Sequence, residues 1–310
     1  MKVLVTGGAG FIGSHLAVAL VRAGHRVRVI DNFASGKRSN LREVRGEVEL
    51  LRGDCADPRA AARAVAGVEA VLHEAAIPSV ARSVERPLPS HRANATATLT
   101  MLTAARDAGV RRFVYASSSS VYGDAREPAK HERLAPRPLS PYAVDKLSGE
   151  HYLRVFAELY GLETVALRYF NVFGPRQDPG SAYSGVISLF TTALLEGRTP
   201  VIYGDGRQSR DFTYVENVVA ANLQALAAKG LRGQAVNVAT GRAVTLRELL
   251  AALGQLTGRR ARPERRPARP GDIRHSRADV RAARRLLGFE PHVGFEDGLA
   301  RTVAWYRENG

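Results

Sequence analysis

The sequence predicts an α/β fold, a doubly wound parallel sheet with a smaller α/β domain interleaved into it. Three observations carry that reading. Short β-branched, apolar runs alternate with helical stretches through the first 170 residues or so, a glycine-rich turn joins the first run to the first helix, and the regular alternation stops in the loop GPRQDPGSAYSG after Gly174. Strands that alternate with helices make βαβ units, whose right-handed crossovers bring the strands parallel.

Each element follows from its own pattern. KVLVTG (2–7) is a strand ending on glycine, FIGSHLAVALVRAG (11–24) has apolar residues at helical spacing and a glycine stop, and RVRVIDN (26–32) is a second strand closing on Asp31. VELLRGD (48–54) is a third strand, 58–66 an Ala/Arg helix and AVLHEAA (70–76) a fourth strand. A helix is predicted over about 90–108, then the strand RFVYASS (112–118), a helix from Pro141 to about Leu159, and a strand through ETVALRYFNVFGP (163–175). Later, DFTYVENVVAANLQALAAK and QAVNVAT read as a helix and a strand that return to the sheet. The expected division is 1–170 plus 212–240 for the sheet domain and 171–211 plus 241–310 for the second domain.

Composition narrows the class. A 310-residue chain with 45% hydrophobic residues can bury a sizeable core and is not a disordered chain. The single cysteine, Cys55, excludes an intramolecular disulfide and a Cys-rich metal site, and no metal is expected. No apolar run reaches the length of a membrane span, and the apolar start MKVLV stops too soon for a secretory leader, so a cytoplasmic chain without a membrane partner is expected. The net charge of +15 is concentrated in the Arg- and Pro-rich 258–285 segment. No paired Cys/His and no aromatic-rich RNA-binding strand accompany it, so nucleic acid is not an expected partner. The excess reads as solvated arginine, with a local role in holding a diphosphate.

In VTGGAGFIGSHL, Gly7, Gly10 and Gly13 stand between a strand and a helix. Glycines there let the backbone turn tightly and let a pyrophosphate approach the N–H groups of the helix start. Asp31 ends the second strand, where a carboxylate accepts bonds from ribose hydroxyls and repels a 2′-phosphate, so NAD is favoured over NADP. Lys37 and Arg38, close in sequence, are placed to soften that repulsion. Asp54 either bonds the adenine amino group or is an ordinary strand-end aspartate.

YASSSSVYG (115–123) lies at the carboxyl edge of the sheet, the edge along which doubly wound folds bind ligands. SPYAVDKLSGE sets Tyr142 and Lys146 one helical turn apart, a pair that by itself equally suits a surface helix. Through VTGGAGFIGSH, DNFASG, ASSSSVYG, SPYAVDK, LRYFNVFGPRQDP, GDGRQSRDFTYVEN and RPGDIRHSRAD, however, the chain resembles an extended short-chain dehydrogenase/reductase essentially end to end, and within that group the UDP-hexose 4-epimerases.

The resemblance implies an NAD-binding Rossmann-type sheet, a UDP-sugar substrate and a homodimer formed through a helical bundle. It implies that Ser118, Tyr142 and Lys146 are catalytic. It implies a cofactor site of Gly7, Gly10, Phe11, Ile12, Gly13, Asp31, Asn32, Ser35, Gly36, Asp54, Cys55, Ala75, Ala76, Asn94, Tyr142, Lys146 and Phe170. For the substrate it implies Ser118, Ser119, Tyr142, Asn171, Val186, Tyr203, Arg210, Arg269, Asp272 and Ser276.

The chemistry accounts for these residue types. Inverting carbon 4 needs a base for the 4-hydroxyl proton, and a free phenol with a pKa of ~10 is almost wholly protonated at neutral pH. Lys146 and a positive nicotinamide ring favour the phenolate, and a fall of roughly 3 units brings Tyr142 into the working range. By the resemblance, Ser118 shares the transfer, while Arg210 and Arg269 match positions that fork onto the diphosphate, which leaves the sugar itself free to turn over.

Related chemistries leave different residues. The 4,6-dehydratases carry an Asp-Glu pair where this chain has Ser119 and Ser120, decarboxylating relatives carry Glu at Ser120, and reductase-epimerases use a Cys and a His, whereas Cys55 lies in the cofactor half. A non-enzymatic, NAD-sensing relative keeps the glycine loop but loses the Tyr-Lys pair. Small Ser276, beside the carbon-2 substituent by resemblance, implies tolerance of N-acetyl sugars; uronic acid forms are the alternative substrates. Pro78 stands where galactose-pathway enzymes have a lysine near the cofactor, so retention of NAD through purification is not implied.

Overall fold

Strand alternation dictates the centre of the molecule. Along β1 (Lys2–Thr6), Val3 and Val5 point into one apolar cluster and Leu4 into another, which is what a sheet covered on both faces requires. The computed structural model describes residues 1–180, 185–259, 261–267 and 274–309. With β1 run β2 (Arg26–Asp31), β3 (Val48–Arg52), β4 (Ala70–His73), β5 (Arg112–Ser118) and β6 (Glu163–Tyr169). Two short strands, β7 (Val172–Phe173) and β8 (Val201–Tyr203), then β9 (Ser209–Arg210) and β10 (Thr213–Tyr214), precede β11 (Gln234–Val238). The sheet order is β11-β6-β5-β4-β1-β2-β3, parallel throughout. The order reverses between β1 and β4, so the ligand crevice of such a sheet opens at their carboxyl ends.

α1 (Phe11–Arg22) and α8 (Val215–Ala227) bury Leu16, Leu20, Val218 and Ala221 on one face. α2 (Pro58–Val65), α5 (Ala97–Asp107) and α6 (Pro141–Tyr160) bury Ala61, Met101, Leu102 and Phe156 on the other. α6 begins cleanly: the Ser140 hydroxyl accepts from the Ala143 N–H and Pro141 takes the first helical position. A Cβ on Gly149 would lie 2.5 Å from the Tyr115 hydroxyl, so the bare glycine lets α6 settle close on β5.

Two predicted elements are divided. The helix expected over 90–108 is α4 (Pro87–His91), a π-helical turn at Arg92–Thr96 and α5, with α3 (Val80–Glu85) before them. Asn94 accounts for the wide turn: its amide donates to the Ser90 carbonyl and its oxygen accepts from the Ile77 N–H. The strand expected over 163–175 ends at Tyr169; Asn171 has φ 33°, and β7 leaves the sheet to pair with β10.

A third apolar cluster forms around Phe173, Phe190, Phe212, Leu249, Phe295 and Leu299. It draws on α7 (Val186–Leu195), α9 (Leu246–Thr257) and α11 (Phe295–Asn309), with β12 (Val244–Thr245), β13 (Glu264–Arg266) and β14 (His275–Ser276) alongside. α10 (Arg281–Leu287), by contrast, buries Ala283 and Leu287 against the α1/α8 side. Among the described residues, no helix is long and apolar enough to cross a membrane.

Candidate active site

The glycine loop is forced to be bare. Gly7 has φ 64°, and a Cβ on it would lie 2.9 Å from the Ala75 backbone; a Cβ on Gly13 would lie 2.3 Å from the Gly7 carbonyl oxygen. α1 starts at Phe11, and Gly10 offers no side-chain cap. The N–H groups of Phe11, Ile12 and Gly13 therefore point outward at the positive end of the helix without intrahelical partners. Asp31 is tied to this loop: one carboxylate oxygen accepts from the Ala9 N–H (2.9 Å), the other from the Phe33 N–H (2.7 Å). Each oxygen keeps a lone pair for a hydroxyl.

The segment after Asp31 folds back over the loop. Asn32 accepts from the Ala34 N–H, exposed Ser35 and Gly36 follow, and the Lys37 N–H donates to the Ala9 carbonyl. The cations expected to offset Asp31 are engaged elsewhere. Lys37 Nζ stands 3.6 Å from Asp178, and the Arg38 guanidinium lies 4.8 Å over the Phe33 ring. Asp54 accepts from the Ala56 N–H and faces Arg92 at 3.4 Å. Burial first, with Asp54 and Asp31 adding to it, pushes the Cys55 thiol up to about 12, so it is inert at neutral pH. Ala75 donates to the Thr6 hydroxyl, Ala76 follows it, and buried Asn94 accepts from the N–H of Ile77, the next residue. A bare cradle, an uncapped helix start and a carboxylate at the end of β2 fit a dinucleotide.

The catalytic trio predicted from sequence comes together at the end of β5. Ser118 accepts from the Ser120 N–H at 3.2 Å and lies near enough to the Tyr142 hydroxyl to lower its pKa; Ser119 starts the turn that follows. Lys146 is 2% exposed, donates to the Ala116 carbonyl at 2.7 Å and has its Nζ 5.9 Å from the Tyr142 ring centre. Phe170 is fully buried beside Tyr122. The chain without its cofactor does not lower the Tyr142 phenol: burial pushes it up to about 12, the nearby Ser118 hydroxyl pulls it down and Glu74 raises it further. Burial also lowers Lys146, to about 8, against the raising effect of Glu74, Asp145 and Glu150. Lys146 nevertheless remains an ammonium ion at neutral pH.

Sequence reasoning passed over Glu74. It follows β4 directly, its backbone abuts Gly7, and its carboxylate accepts from the Tyr169 hydroxyl at 2.8 Å. Tyr169 accepts in turn from the Asn222 amide of α8 at 2.8 Å. Burial pushes the Glu74 carboxyl up to about 7, with the Tyr169 bond and Lys146 opposing the rise. The available signal was a carboxylate ending the otherwise apolar run AVLH.

Across the opening, β9 pairs with β14 so that Arg210 and Ser276 are register partners. Arg210 donates to the Ser209 carbonyl (3.0 Å), and Ser276 lines a cavity of about 640 Å³ with Arg126, Lys130, Arg274 and Arg277. Asn171 donates to the Asp211 carbonyl at 3.1 Å, which sets it beside Arg210. The Tyr203 carbonyl accepts from Gln208, one residue before β9, and Val186 opens α7. Arg269 and Asp272 lie outside the described residues. Asp211, also missed from sequence, is fully buried, and its carboxylate accepts from the Thr240 N–H and hydroxyl and from the N–H groups of Gly241 and Ala278.

Comparison with known proteins gives the same reading. The model of the NAD dependent epimerase/dehydratase family matches residues 3–239. The chain is 40% identical to the UDP-glucose 4-epimerase of Mycolicibacterium smegmatis over 99% of each chain. A solved UDP-N-acetylglucosamine 4-epimerase of Methanobrevibacter ruminantium, in complex with UDP-N-acetylmuramic acid, superposes with a TM-score of 0.95 at 39% identity, covering 100% of this chain and 99% of that one. The UDP-glucose 4-epimerase of Thermus thermophilus, in complex with NAD, gives 0.89 at 40% identity over 99% of each chain. A parallel sheet with a bare glycine cradle and a Ser-Tyr-Lys trio at its carboxyl edge thus belongs, with the whole chain that carries it, to the NAD dependent epimerase/dehydratase family, among the UDP-sugar 4-epimerases, which are isomerases.

Proposed function

We propose that this protein inverts carbon 4 of a UDP-hexose, interconverting UDP-glucose and UDP-galactose and also their N-acetylated counterparts. One observation carries the reading: Tyr142 stands one turn from the buried Lys146 ammonium, whose Nζ lies 5.9 Å from its ring centre, beside Ser118 at the sheet edge that the glycine cradle also faces. When bound, NAD supplies a positive ring and the acceptor that takes hydride from carbon 4 and gives it back. Tyr142 takes the proton of the 4-hydroxyl as that hydride departs, leaving a 4-keto sugar, and returns it after the sugar has turned over. Ser118 orients the same oxygen, and Lys146 bonds the nicotinamide ribose while its charge favours the phenolate. Bringing a phenol from about 12 to neutrality takes roughly 7 kcal/mol of favourable charge interaction. The dry surroundings of Lys146 make such interactions strong.

The grip falls on the UDP end, through Arg210, Asn171, Val186 and Tyr203, with Arg269 and Asp272 proposed from the resemblance. The cofactor positions named above, from Gly7 to Phe170, hold NAD in this proposal. A homodimer is part of it, supported by the exposed Val84, Leu88 and Leu159 on α3, α4 and α6.

The test is incubation with NAD and, separately, UDP-glucose, UDP-galactose, UDP-N-acetylglucosamine and UDP-glucuronate, with products resolved by chromatography. Tyr142→Phe is expected to lower kcat by roughly 10²–10⁴-fold while NAD still binds, and Ser276→Tyr to remove N-acetyl turnover selectively. Wild-type turnover in Tyr142→Phe refutes the mechanism, and exclusive turnover of UDP-glucuronate refutes the substrate.

A further inference from the structure

We propose that Glu74 is a positioning residue for the proton transfer: its carboxylate keeps the Lys146 ammonium charged inside the site, and Tyr169 and Asn222 hold that carboxylate in place. This rests on Tyr142 and Lys146 being the acting pair.

The register of the sheet puts Glu74 among them. β4 and β5 pair His73 with Tyr115, so Glu74 and Ala116 come next along the two strands, and the Ala116 carbonyl is the acceptor for Lys146 Nζ. β5 and β6 pair Ser118 with Tyr169, whose hydroxyl donates to Glu74. The backbone of Glu74 abuts Gly7 on the other side. Glu74 therefore lies between the glycine cradle and the Tyr-Lys pair.

Its charged and titratable neighbours come from two elements, Tyr169 of β6 and Lys146 and Tyr142 of α6. Lys146 also faces Asp145 and Glu150, as well as His73 and the Tyr115 ring. Glu150 is committed to the Arg168 guanidinium at 2.6 Å, and Asp145 is bonded to His91 at 2.8 Å. Glu74 instead has a neutral hydroxyl as its hydrogen-bond donor, and its charge is left to act on Lys146. An ionised Glu74 favours the ammonium and opposes the Tyr142 phenolate; a protonated Glu74 does the reverse. Because burial brings this carboxyl to about 7, the site exchanges a proton near neutrality that the Tyr-Lys pair alone does not account for.

Infrared titration of the protein free of sugar and cofactor tests this without relying on turnover. A carboxyl band titrating near pH 7 is expected in the wild type and absent in Glu74→Gln, which keeps an acceptor for Tyr169. Tyr169→Phe is expected to move that titration to higher pH, since the lost bond favoured the ionised form. In turnover, Glu74→Gln is expected to shift the alkaline limb of kcat against pH to lower pH and to leave KM for the UDP-sugar unchanged. A folded Glu74→Gln with the wild-type pH profile overturns the proposal. Should Glu74→Gln fail to fold, an unmoved titration in Tyr169→Phe overturns it and a raised one supports it. If Tyr142→Phe keeps its turnover, the mechanism above falls while the infrared result still stands.

Discussion

The two sides of the ligand path are built in opposite ways. Around Tyr142 the side chains are closed in: Lys146 is 2% exposed, and β5 and β6, which flank it, are seven residues long. Across the opening, β9 and β14 have two residues each, and the side chain of Arg274, the residue before β14, is 70% exposed. Moving a proton and a hydride calls for fixed groups in a dry site, where small charges act strongly. Holding a diphosphate calls for guanidiniums that can meet it and let it go, and short ladders suffice. On the proposed reading, the difference makes turnover and grip separable in this molecule.

The largest effects should therefore split. Whereas Tyr142→Phe acts on kcat, Arg210→Ala is expected to raise KM for the UDP-sugar by roughly ten- to a hundredfold, the worth of one or two hydrogen bonds to a charged group, with a much smaller change in kcat. Steady-state kinetics on both variants decides it. A fall in kcat with unchanged KM in Arg210→Ala would break the comparison.

The closed side was legible in the sequence to the extent that its signals are local. Short apolar, β-branched runs marked the strands, and the glycine spacing and the Tyr-x-x-x-Lys turn each lie within a dozen residues. Glu74 and Asp211 were not legible, because what defines them arrives from far along the chain: Tyr169 and Asn222 for the first, Thr240, Gly241 and Ala278 for the second. The break at Asn171 was hidden for a related reason. An apolar run does not reveal that its last two residues pair with Thr213 and Tyr214 instead of continuing in the sheet. The wide turn at Asn94 depends on Ile77, which no helical periodicity reports.

A second prediction concerns the seam between the two sides. His15 of α1 is bonded to the Pro175 carbonyl at 3.0 Å, and burial, chiefly, lowers its pKa from 6.5 to about 4. Because the folded value lies below the unfolded one, the stabilisation is complete above pH 6.5 and is lost as the pH falls towards 4. The loss amounts to about 3 kcal/mol. His73, lowered to about 3 by burial, acts with the same sign over a wider range. Thermal melts between pH 7.5 and 4.5 should show this decline, with a shallower slope in His15→Asn. An equal slope in the variant would place the acid sensitivity elsewhere.

The smallest expected effect sharpens the comparison most, because it tests how two-residue strands stay in place. In Asp211, Oδ1 accepts from the Thr240 N–H and hydroxyl, and Oδ2 accepts from the Gly241 and Ala278 N–H groups. Asp211 follows Arg210 in the chain, and Ala278 comes two residues after Ser276. One carboxylate thus fixes both register partners. In Asp211→Asn the amide oxygen can serve one pair of donors, but its NH₂ group must then face the other pair, donor against donor. Leaving those buried N–H groups unpaired costs about 1–3 kcal/mol, visible as a lower Tm. Because the clip holds Arg210 and Ser276 and not Tyr142, KM for the UDP-sugar should rise several-fold while kcat keeps its value. Equal losses in both would mean that the short ladders also shape the closed side, and that grip and turnover are not separable after all.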